Sequence, residues 1–252
     1  MPTLKDKTEN SREPRPLSIW GSLILFGIPT LLILFATRLG IPALRTILTG
    51  PDILCWFVAG GSVFFCLFVA SFVAYWIEQG KISLSGLADR FRMRRITLGN
   101  VAWALGLLVT CGLMSAGIAG LWKLAANSWS AIPVPQLSPA FIHVEPIKNA
   151  TSWILLAWLP LFFFNIAGEE LWWRGYMLPR EEEQHQSAAW FSHGIGLALF
   201  HLPLGVDLTI ILLPFLFALP YSVQRTRNLW TGIILHGILN GGGFLAMAFG
   251  LA

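Results

Sequence analysis

The stretch Asn165-Ile-Ala-Gly-Glu169-Glu170-Leu-Trp-Trp-Arg174-Gly-Tyr-Met-Leu-Pro179-Arg180 closes one of the longest apolar runs of the chain, which opens at Thr151. A run of that length reads as a membrane-spanning helix, and ionisable groups within it are expensive enough to mark a functional site by default. At about 100° per residue the two adjacent carboxylates point in different directions. Glu170 and Arg174, at i and i+4, share a face and can pair. Glu169 is then the carboxylate without an obvious local partner.

The chain around this stretch has 252 residues, 55% hydrophobic and 12% charged, with a mean hydropathy of +0.66. These values exclude an ordinary soluble domain and predict an all-α, polytopic membrane helix bundle. Lys and Arg number 17 against 13 Asp and Glu. They lie between the apolar runs instead of forming one basic face, so they read as topology signals and point away from nucleic acid. Cys55, Cys66 and Cys111 all fall within apolar segments. Three cysteines without paired spacing give neither a disulfide framework nor a zinc site, and are expected to pack. The first apolar run lacks a small-residue cleavage site after it and reads as an anchor.

Seven apolar runs are visible, over 17–36, 53–77, 98–121, 151–173, 188–202, 208–223 and 229–249. They predict seven spans, the fifth and sixth short and separated only by Pro203-Leu-Gly-Val-Asp207, as in a tight helical hairpin. The expected organisation is a flexible tail over 1–16, amino-terminal helices and loops over 17–149, and a catalytic helical core over 150–252. Seven spans place thirteen Lys and Arg on the side of the tail and four on the other. The positive-inside rule then puts the amino terminus in the cytoplasm.

Between the runs, Ile82 to Arg95 mixes spaced apolar and basic residues, which suits either an interfacial helix on an anionic leaflet or a plain basic loop. Pro133, Pro135, Pro139 and Pro146 disfavour regular structure in the outer stretch from Lys123 to Asn149. Gly106, Gly112, Gly117 and Gly120 on the third run, and Gly237 with Gly241 on the last, are expected to permit close helix contact.

Three further polar positions lie within apolar runs: His201, and His236 with Asn240 on one helix face. Counting about 1.5 Å per residue from the inner ends, His236 lies about 10 Å deep, Glu169 about 15 Å and His201 about 20 Å. Three helices can therefore present polar groups at overlapping depth, as an inward-opening cavity requires. Hydrolysis needs a base, a water and oxyanion donors, and this set supplies those types. Other features have plainer readings. His193 is expected to pack, Glu181-Glu182-Glu183 beside His185 to be a solvated loop, and Trp153, Trp158 and Trp230 to anchor at interfaces.

Glu169-Glu170-x-x-x-Arg174, a histidine in the next span and His236-x-x-x-Asn240 together resemble the CAAX-protease and bacteriocin-processing (CPBP, or Abi) family of intramembrane proteases. The likeness covers about residues 150–245. In the family's second motif a phenylalanine usually stands four residues before the histidine; here that position is Leu197. The resemblance implies an intramembrane endopeptidase in which Glu169 is the general base, and His201 helps position water and move its proton. It also implies that His236 and Asn240 stabilise the oxyanion, while Glu170 pairs with Arg174. It implies a membrane-anchored protein or peptide as substrate, cleaved in the bilayer without a cofactor, with zinc on the glutamate and histidines as the alternative. The expected location is a bacterial cytoplasmic membrane. A non-catalytic membrane partner, such as an immunity protein or sensor-kinase regulator, is the rival reading, and a transporter the third.

Overall fold

The structure, a computed structural model, describes residues 15–142, 144–147 and 151–251. Most of the tail expected over 1–16 therefore lies outside the described residues. The elements are α1 (Ile19–Phe35), continued by a π turn (Ala36–Gly40) into α2 (Ile41–Arg45), then α3 (Ile53–Gln79), α4 (Leu84–Arg90) and α5 (Leu98–Ser128). They are followed by α6 (Trp153–Glu169), a π-helical segment (Glu170–Met177), α7 (Leu178–His185), α8 (Ala189–His201), α9 (Val206–Thr226) and α10 (Leu229–Ala248). Among the described residues there is no strand, and the protein is a polytopic helical membrane bundle.

Six helical runs are long and apolar enough to cross a membrane, where the sequence reading expects seven. The difference lies in Trp153–Leu204, which counts as one run but contains two legs. The chain turns back at Gln186, whose φ of 52° breaks the helix. The second leg, α8, has 13 residues. At 1.5 Å per residue it is about 20 Å long, short of the roughly 30 Å core of a bilayer. Its partner α9, with 21 residues, is long enough to cross.

Loop contacts show that the legs nevertheless alternate between two faces. On one face the Leu17 amide donates to the Arg180 carbonyl (3.1 Å) and the Leu229 amide to the Arg92 carbonyl (3.0 Å). There too the Trp190 amide donates to Gln224 Oε1 (2.8 Å), which sets the start of α8 beside the end of α9. On the opposite face the Gln136 amide donates to Asp207 Oδ2 (3.0 Å). The Ile147 amide donates there to the Ala248 carbonyl (2.7 Å).

Local sequence fixes the helix ends. Ser18 and Ser83 accept from the amides of Gly21 and Gly86, and Thr97 with Asn100 forms a reciprocal capping box at the start of α5. Gly80 ends α3 in the left-handed region at φ 71°, open to glycine without strain. The 82–95 stretch is helical only over α4. The outer proline-rich stretch is irregular after Ser128, later than the expected end of the third run.

The core is aromatic. Trp173 stacks on Phe26 of α1 at 4.6 Å and meets Phe200 of α8 edge-on at 5.2 Å. Trp158 is buried and stacks on Phe244 of α10 at 4.6 Å, so it packs α6 against α10 instead of anchoring at an interface. The tightest backbone approach is at Gly168, where a Cβ would lie 2.3 Å from the Phe64 carbonyl oxygen of α3. The glycines of α5 do not serve such contacts. A Cβ at Gly106, Gly112, Gly117 or Gly120 meets nothing within 4 Å, because α5 lies at the periphery. Gly237 is equally open, whereas Gly241 packs on Phe162. Cys55 and Cys111 are buried as expected, and Cys66 is exposed.

Candidate active site

The acidic pair sits where α6 widens into the π-helical segment. Such segments are rare and concentrate at functional sites. Pro179, lacking an N–H, cannot supply the donor that an α-helix would aim at the Gly175 carbonyl. Glu170 and Arg174 remain on one side of the widened turn. Arg174 Nε donates to Glu170 Oε2 (2.9 Å), and its Nη2 donates to Oε1. Both side chains are fully buried, so the pair is shielded from bulk solvent and from screening.

The pair is held from α10. His236 Nδ1 bonds Glu170 Oε1 at 2.9 Å, which makes Nδ1 the protonated nitrogen because a carboxylate only accepts. Arg174 Nη2 lies 3.4 Å from the same nitrogen. One turn further along α10, Asn240 Nδ2 approaches His236 Nε2 at 3.0 Å. Gly232 allows the helix this near: a Cβ there would stand 2.4 Å from Glu170 Oε2.

Glu169 is 4% exposed and points elsewhere, as the angular offset predicts. Its Oε1 accepts from Asn165 Nδ2 at 2.7 Å. Its Oε2 has no hydrogen-bond partner among the described residues. His201 ends α8 half-buried, with Nδ1 donating to the Leu197 carbonyl at 2.8 Å. That bond directs the unprotonated Nε2 away from its own helix. Leu197, the departure from the family pattern, is itself buried, and phenylalanine appears at Phe200 instead.

Glu169, Arg174, His201, His236 and Asn240 line one narrow cavity of about 30 Å³. That volume holds about one water. Its remaining wall is apolar, with Leu212, Phe215, Leu216 and Leu219 of α9 and Leu239 of α10. Arg174 Nη1 is buried without a partner among the described residues. The structure thus brings together all six residues singled out from the sequence, with Glu170 one layer behind the cavity.

Among the described residues no three His, Cys, Asp or Glu side chains converge on one point. Both nitrogens of His236 are engaged, by Glu170 and Asn240.

Sequence reasoning passed over two kinds of residue. Asn165 bridges Glu169 and Asn240, and its i, i+4 spacing to Glu169 was a visible signal. Glu181 and Glu182 are buried instead of solvated, and His193, fully buried, bonds Glu181 Oε2 at 2.5 Å.

Residues 151–242 match the family model described as type II CAAX prenyl endopeptidase Rce1-like. No curated protein and no solved structure matches the chain. The matched segment runs from the start of α6 into α10 and contains every residue of the polar cavity. Over residues 151–242 the chain is therefore similar to the Rce1-like type II CAAX prenyl endopeptidases of the CPBP family.

Proposed function

We propose that the protein is a glutamate-dependent intramembrane endopeptidase that hydrolyses a peptide bond in a membrane-anchored protein or peptide. The observation that carries this reading is that Glu169, with one oxygen unpartnered among the described residues, and His201 line the same cavity of one water's volume. Water in that position gives a proton to Glu169 as its oxygen attacks the scissile carbonyl carbon. His201 Nε2 orients the water and relays protons, with the Leu197 carbonyl fixing its tautomer. The oxyanion that forms meets the Asn240 N–H that in the resting site points at His236 Nε2. His236 is held by Glu170, and Arg174 places positive charge beside it. The C–N bond then breaks as the departing amine takes the proton collected from water. No step passes through a metal.

The substrate enters by displacement of the apolar wall, since the resting cavity is far smaller than a peptide. α9 carries Pro214 and Pro220 within its length, and each removes a backbone donor from the wall. The thirteen-to-four distribution of Lys and Arg supports a cytoplasmic amino terminus.

The test is cleavage of tagged peptides, prenylated CAAX and unprenylated transmembrane, by the reconstituted protein and its folded His201→Ala variant, with and without a strong chelator. Cleavage by wild type alone, indifferent to chelator, is expected. Inhibition reversed by zinc would move the chemistry to a metal. Undiminished cleavage by His201→Ala would remove that residue from the mechanism. A protein that cleaves nothing, but whose cellular phenotype survives the same substitutions, would be a non-catalytic membrane partner.

A further inference from the structure

We propose that Asn165 is the positioning residue of this site: it fixes the orientation of the Glu169 carboxylate, taking one oxygen and leaving the other free, and couples that carboxylate to Asn240. The proposal rests on the assignment of Glu169 as base. Asn165 lies one turn before Glu169 on α6 and is 8% exposed. Its amide works in both directions. Nδ2 donates to Glu169 Oε1 at 2.7 Å, and Oδ1 accepts from Asn240 Nδ2 at 2.8 Å. A carboxylate here would lack the donor, and an alkyl chain would lack both bonds.

The consequence is a continuous path between two carboxylates that are neighbours in sequence but point apart. It runs from Glu169 through Asn165 to Asn240, on to His236 at 3.0 Å, and from there to Glu170 at 2.9 Å. The path leaves α6, crosses α10 and returns to the π segment. The bond from Asn165 holds the Glu169 carboxylate in one plane and opposes its tilting away from α10. One oxygen of this cavity-lining carboxylate is therefore kept without a side-chain partner among the described residues. The same amide takes one Asn240 N–H, which leaves the other as the one available to an oxyanion. A single side chain thus sets the register of base and oxyanion donor on separate helices. Small misplacements of such groups cost about 10²-fold in rate.

A bond that merely tied α6 to α10 would alter stability but leave the chemistry of the folded protein alone. The experiment therefore compares wild type, Asn165→Leu, Asn165→Ala and Glu169→Gln in nanodiscs. It measures labelling of Glu169 by a hydrophobic carbodiimide, then kcat and KM per folded molecule on a cleaved peptide. The expected result for both Asn165 variants is faster labelling, as Oε1 loses its donor, and a kcat lower by on the order of 10- to 100-fold with KM held. Unchanged labelling, or wild-type kcat in the folded fraction, overturns the proposal. If Glu169→Gln is inactive while Asn165→Leu is fully active, only the positioning role fails. If Glu169→Gln is itself fully active, the reading of Glu169 as base fails.

Discussion

Two buried acidic pairs, Glu169-Glu170 and Glu181-Glu182, occur one helix apart, and each meets an arginine and a histidine. All four carboxylates are at most 6% exposed. In the second pair every oxygen is taken. Glu181 accepts from Ser22 Oγ at 2.7 Å and bonds His193 Nδ1 at 2.5 Å. Glu182 receives both Nη atoms of Arg92, at 2.7 and 2.8 Å, together with Arg227. In the first pair Glu170 is equally saturated by Arg174 and His236, but Glu169 keeps one oxygen free beside a cavity. A carboxylate oxygen that no side chain takes up can accept from a water in the cavity. Burial and charge are common to both sites; a carboxylate oxygen without a partner among the described residues belongs to one.

The comparison predicts different failures. Glu169→Gln should fold as wild type does and lose about 10²- to 10⁴-fold in turnover, since a positioned base contributes that range; thermal unfolding and kcat measured together check this. Arg174→Met should act mainly on the fold. It leaves Glu170 buried and uncompensated, which costs about 3–5 kcal/mol, read from denaturant unfolding in detergent. Glu182→Gln should cost less, about 1–3 kcal/mol, as charge-assisted bonds to Arg92 and Arg227 weaken. Its folded fraction should cleave at close to the wild-type rate. Arg45→Ala removes the pair with Asp52 at 2.6 Å on the opposite face, where both side chains are well exposed, and unfolding should not measurably change. A large loss of turnover in Glu182→Gln would erase the distinction between the two pairs.

The sequence showed the first pair more clearly than the second for a physical reason. Glu169, Glu170 and Arg174 announce themselves by lying in an apolar run, and His236 and Asn240 by sharing a face at i, i+4 in another. The helix class follows from the same runs. The second pair sits in a polar stretch that reads as solvated, and its partners are remote: Ser22 is 159 residues from Glu181, and Arg92 is 90 residues from Glu182. Burial there is a product of folding, with α1, α7 and the segment after α4 converging on one face. Trp158 misled for the mirror reason, because a tryptophan near a span end looks the same in sequence whether it meets lipid or Phe244. The fifth span was visible as short, but its turn at Gln186 depends on a left-handed backbone that no glycine marks.

The most direct measurement is peptide cleavage by Glu169→Gln and Glu182→Gln side by side in one reconstituted preparation, each normalised to its folded fraction. The account predicts that Glu169→Gln is folded and inactive, while Glu182→Gln is less stable and active. A Glu169→Gln protein that cleaves at the wild-type rate would contradict it.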